Sequence, residues 1–194
     1  MTTLLKNRPI QDNKLVLDNI SWEKFEQIET IFQDIEGVRF IYLDGELEIV
    51  MSPSQAHEDA KSTIGLLLEA YMRAKKIRFY TKGSATLGNK EITARKEPDE
   101  SYNIHTKKDI PDLIIEVIVT SGDINILEIY RRISIAEVWF YEDGLLTVYS
   151  LKNNQYIKVN QSQLLPQLNL ENLTKYINYY DQYDAVTEFI NELK

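Results

Sequence analysis

The stretch DLIIEVIVTS, at residues 112–121, most constrains how this chain can fold. Its run of Leu, Ile and Val is rich in β-branched side chains and has the length of a strand buried on both faces of a sheet. One carboxylate, Glu116, interrupts that run. An unpaired carboxylate in such a strand costs roughly several kcal/mol of desolvation, or it takes up a proton. The sequence therefore predicts a partner for Glu116, which is either a metal ion or, in a purely structural role, an arginine or a tyrosine hydroxyl.

Helical periodicity precedes and follows this strand. Ser21 is a predicted N-cap, and the apolar spacing after it predicts a helix that ends at Gly37. Ser52, followed by proline at the first helical position, predicts the start of a second helix. Ser121 is the predicted N-cap of a third helix, and the tail from Leu170 onward is typical of an amphipathic helix.

Strand patterns fill most of the rest of the chain. Asp-Gly at 44–45 and 143–144 predicts two hairpins, and Asn-Asn at 153–154 predicts a third turn. The segment 77–87 is typical of a strand that bends at its glycine, and residues 102–108 are predicted to form a loop.

These patterns predict one domain of the α/β (α+β) class, with a mixed sheet and helices packed on its faces. A chain of 194 residues can bury a core but leaves little room for a second domain. Residues 1–19 show no clear period and are predicted to form an N-terminal arm. Residues 20–194 are predicted to form the single domain, with a C-terminal helical tail.

Composition bears on the cellular location of the protein and on the kinds of site it can contain. No apolar run approaches the roughly 20 residues of a membrane span, and MTTLLKNRPI lacks the features of a signal peptide. The chain has no cysteine, which excludes disulfides and thiolate metal sites. We expect a cytoplasmic protein with no membrane partner.

The net charge of −8 argues against phosphate binding by overall electrostatics, although basic residues do cluster at 75–82 and 131–132. Those clusters are equally well explained as solvated surface charge. The sequence has no phosphate-binding glycine loop, no GxSxG, no HExxH and no Cys/His zinc pattern. Serine hydrolases and nucleotide hydrolases are therefore excluded.

A second acid, Asp99, lies in the tetrapeptide EPDE, where the preceding proline favours an extended chain. If this segment pairs with the strand of Glu116, two carboxylates meet on one face and can hold Mg²⁺ together with water and substrate phosphate. The alternative for Asp99 is a turn aspartate. Asp112 falls on the same strand face as Glu116, but a Pro-Asp turn at the strand start explains it better.

His57 and Lys61 are one helical turn apart in the second helix and so share a side of it. His57 is a candidate for a metal or phosphate contact, and the alternative is a surface or half-buried histidine at a helix start. His105, in a polar loop, is assigned no role.

Four stretches taken together resemble the Uma-two family of predicted restriction endonucleases, which is abundant in cyanobacteria and belongs to the PD-(D/E)xK nuclease superfamily. The resemblance covers about residues 20–175. The matching stretches are LDGELEIVMSPSQAHE (43–58), EPDESYNI (97–104), IPDLIIEVIVTS (110–121) and AEVWFYEDGLLTVYSL (136–151).

The resemblance implies a restriction-endonuclease-like core, a central mixed β-sheet flanked by helices, often as a homodimer. It implies hydrolysis of DNA phosphodiesters with Mg²⁺ or Mn²⁺. It places the proline-linked acid at Asp99, the acid of the (D/E)xK triplet at Glu116 and the histidine of the helix start at His57.

One position departs from the family pattern, because Ile118 stands where the lysine of (D/E)xK is expected. That lysine orients the attacking water or stabilises negative charge on the phosphate. Lys61 is the first candidate to replace it, and Lys82 the second. The alternative function is a catalytically degenerate module that keeps the fold and binds nucleic acid or a protein partner.

Overall fold

The computed structural model describes residues 13–51, 54–118 and 125–193. Within these ranges the chain forms eleven strands in two sheets and five helices. The helices are α1 Trp22–Phe32, α2 Gln55–Ala74, α3 Ile126–Ile133, α4 Leu170–Ile177 and α5 Gln182–Glu192. The strands are β1 Asn13–Leu17, β2 Val38–Leu43, β3 Glu46–Met51, β4 Phe79–Thr81, β5 Leu87–Asn89, β6 Ala94–Lys96, β7 Glu100–Ile104, β8 Leu113–Ile118, β9 Glu137–Glu142, β10 Leu145–Lys152 and β11 Gln155–Val159.

The first sheet is antiparallel throughout, in the order β1-β3-β2-β6-β5. Helix α1 covers one face of it, with Trp22 and Phe25 packed on Tyr42 and Leu47. Ser21 caps α1 as predicted, since its hydroxyl accepts a hydrogen bond from the Lys24 amide at 3.3 Å.

The second sheet has the order β11-β10-β9-β8-β7-β4, and it is mixed because β8 and β9 run parallel while its other pairs are antiparallel. Side chains of α2, α4 and α5 bury one face of it around Leu113, Ile115 and Trp139. The predicted class, with a central mixed sheet flanked by helices, is confirmed, as is the buried strand β8.

Helix α3 packs against both sheets. Ile129 contacts Ile41 and Ala94 of the first sheet, whereas Tyr130 packs on Ile114 of the second. Adjacent residues of one helix thus pack on β6 and on β8. We call the region where these two strands approach each other the sheet junction.

The predicted hairpins are confirmed, and each has the backbone that its sequence requires. Both central residues of the turns at 44–45, 143–144 and 153–154 have positive φ, as type I′ turns demand. The predicted strand at 77–87 instead divides at Gly83, with β4 in the second sheet and β5 in the first. The predicted loop at 102–108 begins later than expected, because β7 continues to Ile104.

Three predicted helix boundaries differ from the structure. Helix α1 ends at Phe32, before Gly37. The N-cap of α2 is Ser54, whose hydroxyl accepts from the His57 amide at 3.2 Å, and α3 is capped by Asn125. Ser52 and Ser121, the predicted caps, lie outside the described residues.

The two ends of the chain also differ in detail from the prediction. Part of the predicted N-terminal arm, Asn13–Leu17, is strand β1 paired with β3, and residues 1–12 lie outside the described residues. The tail forms two helices, α4 and α5. Across the described ranges, none of the helices has the length and apolar character needed to cross a bilayer.

Candidate active site at the sheet junction

The two predicted acids lie side by side in the second sheet. Asp99 immediately precedes β7, Glu116 is in β8, and they are 3% and 2% exposed. The backbone amide of Val117 donates to Oδ2 of Asp99 at 2.8 Å, which fixes the Asp99 carboxylate beside the strand that carries Glu116. The structure therefore brings together the pair that the sequence predicts.

Glu116 has two partners, one from β6 and one from α3. Lys96 Nζ lies 3.1 Å from its Oε2, and the hydroxyl of Tyr130 donates to Oε1. Burial raises the pKa of Glu116 to about 7, against the opposing effect of the Lys96 charge. The expectation of a tyrosine hydroxyl is met, and the cation is a lysine rather than an arginine.

Lys96 reaches Glu116 because of strand pairing in the first sheet. It is the last residue of β6, opposite Ile41 of β2, and it is only 7% exposed. Its ammonium group also donates to the Glu97 carbonyl at 3.1 Å. The carboxylate and the carbonyl give this buried ammonium group hydrogen-bond partners.

Asp99 is held from two further directions. Arg39 Nη1 donates to its Oδ1, and His57 Nε2 lies 3.1 Å from its Oδ2. Burial alone would raise the pKa of Asp99, but the hydrogen bond with His57 and the charge of Lys96 outweigh it and hold that pKa well below its usual range. Asp99 is therefore an ionised, buried carboxylate.

His57 lies between two carboxylates. Its Nε2 faces Asp99 and its Nδ1 is 3.2 Å from Oε1 of Glu58. Burial lowers the pKa of His57, yet the bond to Asp99 and its charge raise it above 6.5 overall. An imidazolium that donates from both nitrogens satisfies this arrangement.

Glu58 connects the predicted lysine to the site indirectly. It accepts from Arg39 Nη2 at 3.1 Å, and Lys61 Nζ lies 3.5 Å from its Oε2. Lys82, the second candidate, donates to the Lys108 carbonyl at 3.2 Å. The lysine that the structure places on Glu116 is Lys96.

Sequence reasoning missed Lys96, Arg39 and Tyr130. Lys96 stands three residues before Asp99 in KEPD, and this proximity was the available signal. Arg39 and Tyr130 gave no local signal, because they belong to other elements than the two acids. Arg39 lies in the hairpin strand β2, and Tyr130 lies in helix α3.

Of the other acid and the other histidine considered in the sequence, Asp112 has structural partners and His105 lies at the surface. Asp112 accepts from the Ile104 amide at 2.9 Å and pairs with Lys108, which agrees with its interpretation as a strand-start residue. His105 is exposed and has a positive φ of 67°.

Asp99 and Glu116 offer carboxylate oxygens, the donor type that a hard divalent cation prefers. Mg²⁺ takes one or two protein carboxylates and completes its octahedron with water and phosphate oxygens. The four oxygens of Asp99 and Glu116 are each bonded by a group of this chain, and two of those groups, Arg39 and Lys96, are cationic. Among the described residues no set of three or more His, Asp or Glu side chains could hold a metal.

No protein of curated function matches the chain. The family Uma2, described as "Putative restriction endonuclease", matches residues 22–178. This match covers α1 through α4 and includes all the residues of the sheet junction named above. Because the family spans most of its length, the chain belongs to the Uma2 family of restriction-endonuclease-like proteins.

Proposed function

We propose that the protein is a metal-dependent endodeoxyribonuclease that hydrolyses phosphodiester bonds of DNA. The observation that carries the proposal is the contact of Lys96 with Glu116, beside Asp99, at the sheet junction. Two carboxylates and a lysine are the set that the superfamily pattern asks for. Here β6 would supply the lysine, so that Ile118 would not leave the proposed site without one.

The proposed roles follow from these contacts. Asp99 and Glu116 would hold Mg²⁺ or Mn²⁺, which would supply a Lewis acid and lower the pKa of a bound water. Lys96 would place its ammonium charge against the negative charge that develops on the phosphate. His57, through its hydrogen bond to Asp99, positions that carboxylate and keeps it ionised.

Lys61 is the weaker candidate for the lysine role, since its ammonium group is directed at Glu58. A direct catalytic role for Lys61 stays a prediction. The homodimer and the cytoplasmic location likewise stay predictions.

The alternative, a degenerate module that only binds, was motivated by Ile118 and by the net charge of −8. The position of Lys96 weakens the first of these motives. The charge is compatible with a nuclease, because carboxylates that hold metal are themselves negative and substrate can be held locally.

A plasmid-nicking assay with Mg²⁺ or Mn²⁺ tests the proposal. Wild-type protein should nick supercoiled DNA, and Asp99→Asn and Glu116→Gln should each lose that activity. Lys90→Met is a surface control that should nick like wild type, because Lys90 is exposed and pairs with Glu23 on the surface. Unchanged nicking in both acid variants would identify a contaminating nuclease and overturn the assignment.

A further inference from the structure

Arg39 is a cation that the nuclease pattern does not call for. It lies in β2 of the first sheet and crosses the sheet junction to bond Oδ1 of Asp99 with Nη1. Its Nη2 donates to Oε1 of Glu58 at 3.1 Å. One guanidinium thus bridges a buried carboxylate and a partly exposed one.

The two oxygens of Asp99 differ in how tightly they are held. Oδ2 is bonded by the Val117 amide at 2.8 Å and by His57 at 3.1 Å, and the His57 side chain is only 6% exposed. Oδ1 is bonded by Arg39, whose side chain is 23% exposed. Oδ1 is therefore the oxygen at which a partner can be exchanged without breaking the buried framework.

Glu58 remains a hydrogen-bond partner of Arg39 when the bond between Arg39 and Asp99 breaks. The Glu58 side chain is 40% exposed and already accepts from Nη2. Arg39 can therefore release Asp99 while its charge stays paired, which keeps the cost of release low. Lys96, whose side chain is 8% exposed and lies against Glu116, has a more enclosed position.

We infer that Arg39 is an exchangeable cation, which neutralises Oδ1 of Asp99 in the metal-free protein and yields that oxygen to a divalent cation. Arg39 then sets the metal concentration at which the site is loaded. This inference rests on the metal role proposed for Asp99, and it adds a competing residue within the protein.

Isothermal titration of Mn²⁺ into the full-length protein tests the exchange without requiring cleavage. Arg39→Met should bind Mn²⁺ at least about tenfold more tightly than wild type, because the metal no longer competes with the guanidinium. Arg78→Met makes the same substitution at an exposed arginine and should bind like wild type.

A second control separates direct competition from a general effect of charge. Lys61→Met removes a positive charge close by, at Glu58, without removing a partner of Asp99. A gain in Lys61→Met as large as the gain in Arg39→Met would mean that loss of positive charge alone tightens binding, and the inference would be overturned. Competition predicts a clearly larger gain for Arg39→Met.

The remaining outcomes are also decisive. Equal or weaker Mn²⁺ binding in Arg39→Met, or binding by neither protein, would show that Arg39 is a structural partner of Asp99 and not a competitor. Tighter binding in Arg39→Met together with no nicking by wild type would support the exchange and count against the nuclease. Nicking by wild type together with unchanged Mn²⁺ affinity in Arg39→Met would support the nuclease and count against the exchange.

Discussion

Lys96 Nζ lies 3.1 Å from Oε2 of Glu116, although the two residues belong to different sheets. The ammonium group comes from the last residue of β6, and the carboxylate comes from the middle of β8. Strand β8 itself has Ile118 two residues after its acid. The cation of this site therefore depends on how the sheets pack and not on the sequence next to the acid.

The first prediction concerns which lysine serves the reaction. Lys96→Met should lower the nicking rate roughly 100-fold or more, the usual loss when one charge-stabilising group is removed from a hydrolytic site. Lys61→Met should lower it much less, because Lys61 is directed at Glu58. Initial rates of plasmid nicking at saturating Mg²⁺ give the comparison.

Folding must be checked in these variants, since Lys96→Met leaves Glu116 without its cation. Circular dichroism and urea unfolding should show a native protein at the assay temperature, and Lys90→Met should nick at the wild-type rate. A larger loss in Lys61→Met than in Lys96→Met would return the catalytic role to Lys61.

The second prediction follows from the pKa of Glu116, which is raised from 4.5 to about 7 in the folded protein. Between these values the native state binds more protons than the unfolded state, so the stability that this group contributes is full below pH 4.5 and is lost as pH rises through 7. The free energy of unfolding of wild type, relative to Glu116→Gln, should fall by up to about 3 kcal/mol across this window.

Urea titrations at pH 5, 6, 7 and 8 measure this difference. Its slope with pH isolates the titration of Glu116 from any constant cost of leaving Lys96 with a neutral partner. Glu46→Gln, at an exposed position of β3, should follow the wild-type profile. Parallel profiles for wild type and Glu116→Gln would show that Glu116 titrates alike in both states.

The third prediction compares the two histidines. His57→Asn removes a hydrogen bond to the ionised, buried Asp99, so it should lower the free energy of unfolding at pH 7 by roughly 1.5–3 kcal/mol. His105→Asn should change it by less than about 0.5 kcal/mol, because His105 is exposed and asparagine tolerates its positive φ. Equal losses in the two variants would mean that the His57 contact contributes nothing specific.

The fourth prediction concerns Gly88 in β5. Its φ is +95°, and an added Cβ would lie 2.1 Å from the Ala94 carbonyl oxygen of the paired strand. Gly88→Ala should therefore force β5 away from β6 and lower the free energy of unfolding by at least about 2 kcal/mol more than Gly83→Ala. Gly83 also has a positive φ, of +60°, but a Cβ there would meet no atom within 4 Å, so Gly83→Ala is a positive-φ control without the clash. Similar unfolding midpoints for the two variants would contradict the expected clash.

Local features of the sequence were enough to predict the hairpins and the buried strand β8, and to select Asp99 and Glu116 as neighbouring acids, whose metal role stays a prediction. A type I′ turn and a β-branched run are determined by adjacent residues, and Pro98 before Asp99 is equally local. Helix starts were less well determined. Ser52 and Ser54 both satisfy the preference for an N-cap, and only the backbone shows that Ser54 caps α2.

The cations of the site could not be predicted, for a physical reason. Arg39 and Lys96 reach the acids through the pairing of β2 with β6 and through the packing of one sheet near the other. Neither relationship leaves a spacing in the sequence for Arg39, and for Lys96 the only local signal is its position three residues before Asp99 in KEPD. Lys61 was chosen because helical periodicity is visible along the chain, whereas contacts between sheets are not.

The division of the site between two sheets also bears on how the protein folds. Glu116 lies in the second sheet and Asp99 directly precedes one of its strands, whereas Arg39 and Lys96 lie in the first sheet. A partly folded molecule in which only one sheet has formed would hold either the two acids or the two basic residues, but not both. If the proposed nuclease function holds, such a molecule lacks a complete site, because the site needs residues of both sheets.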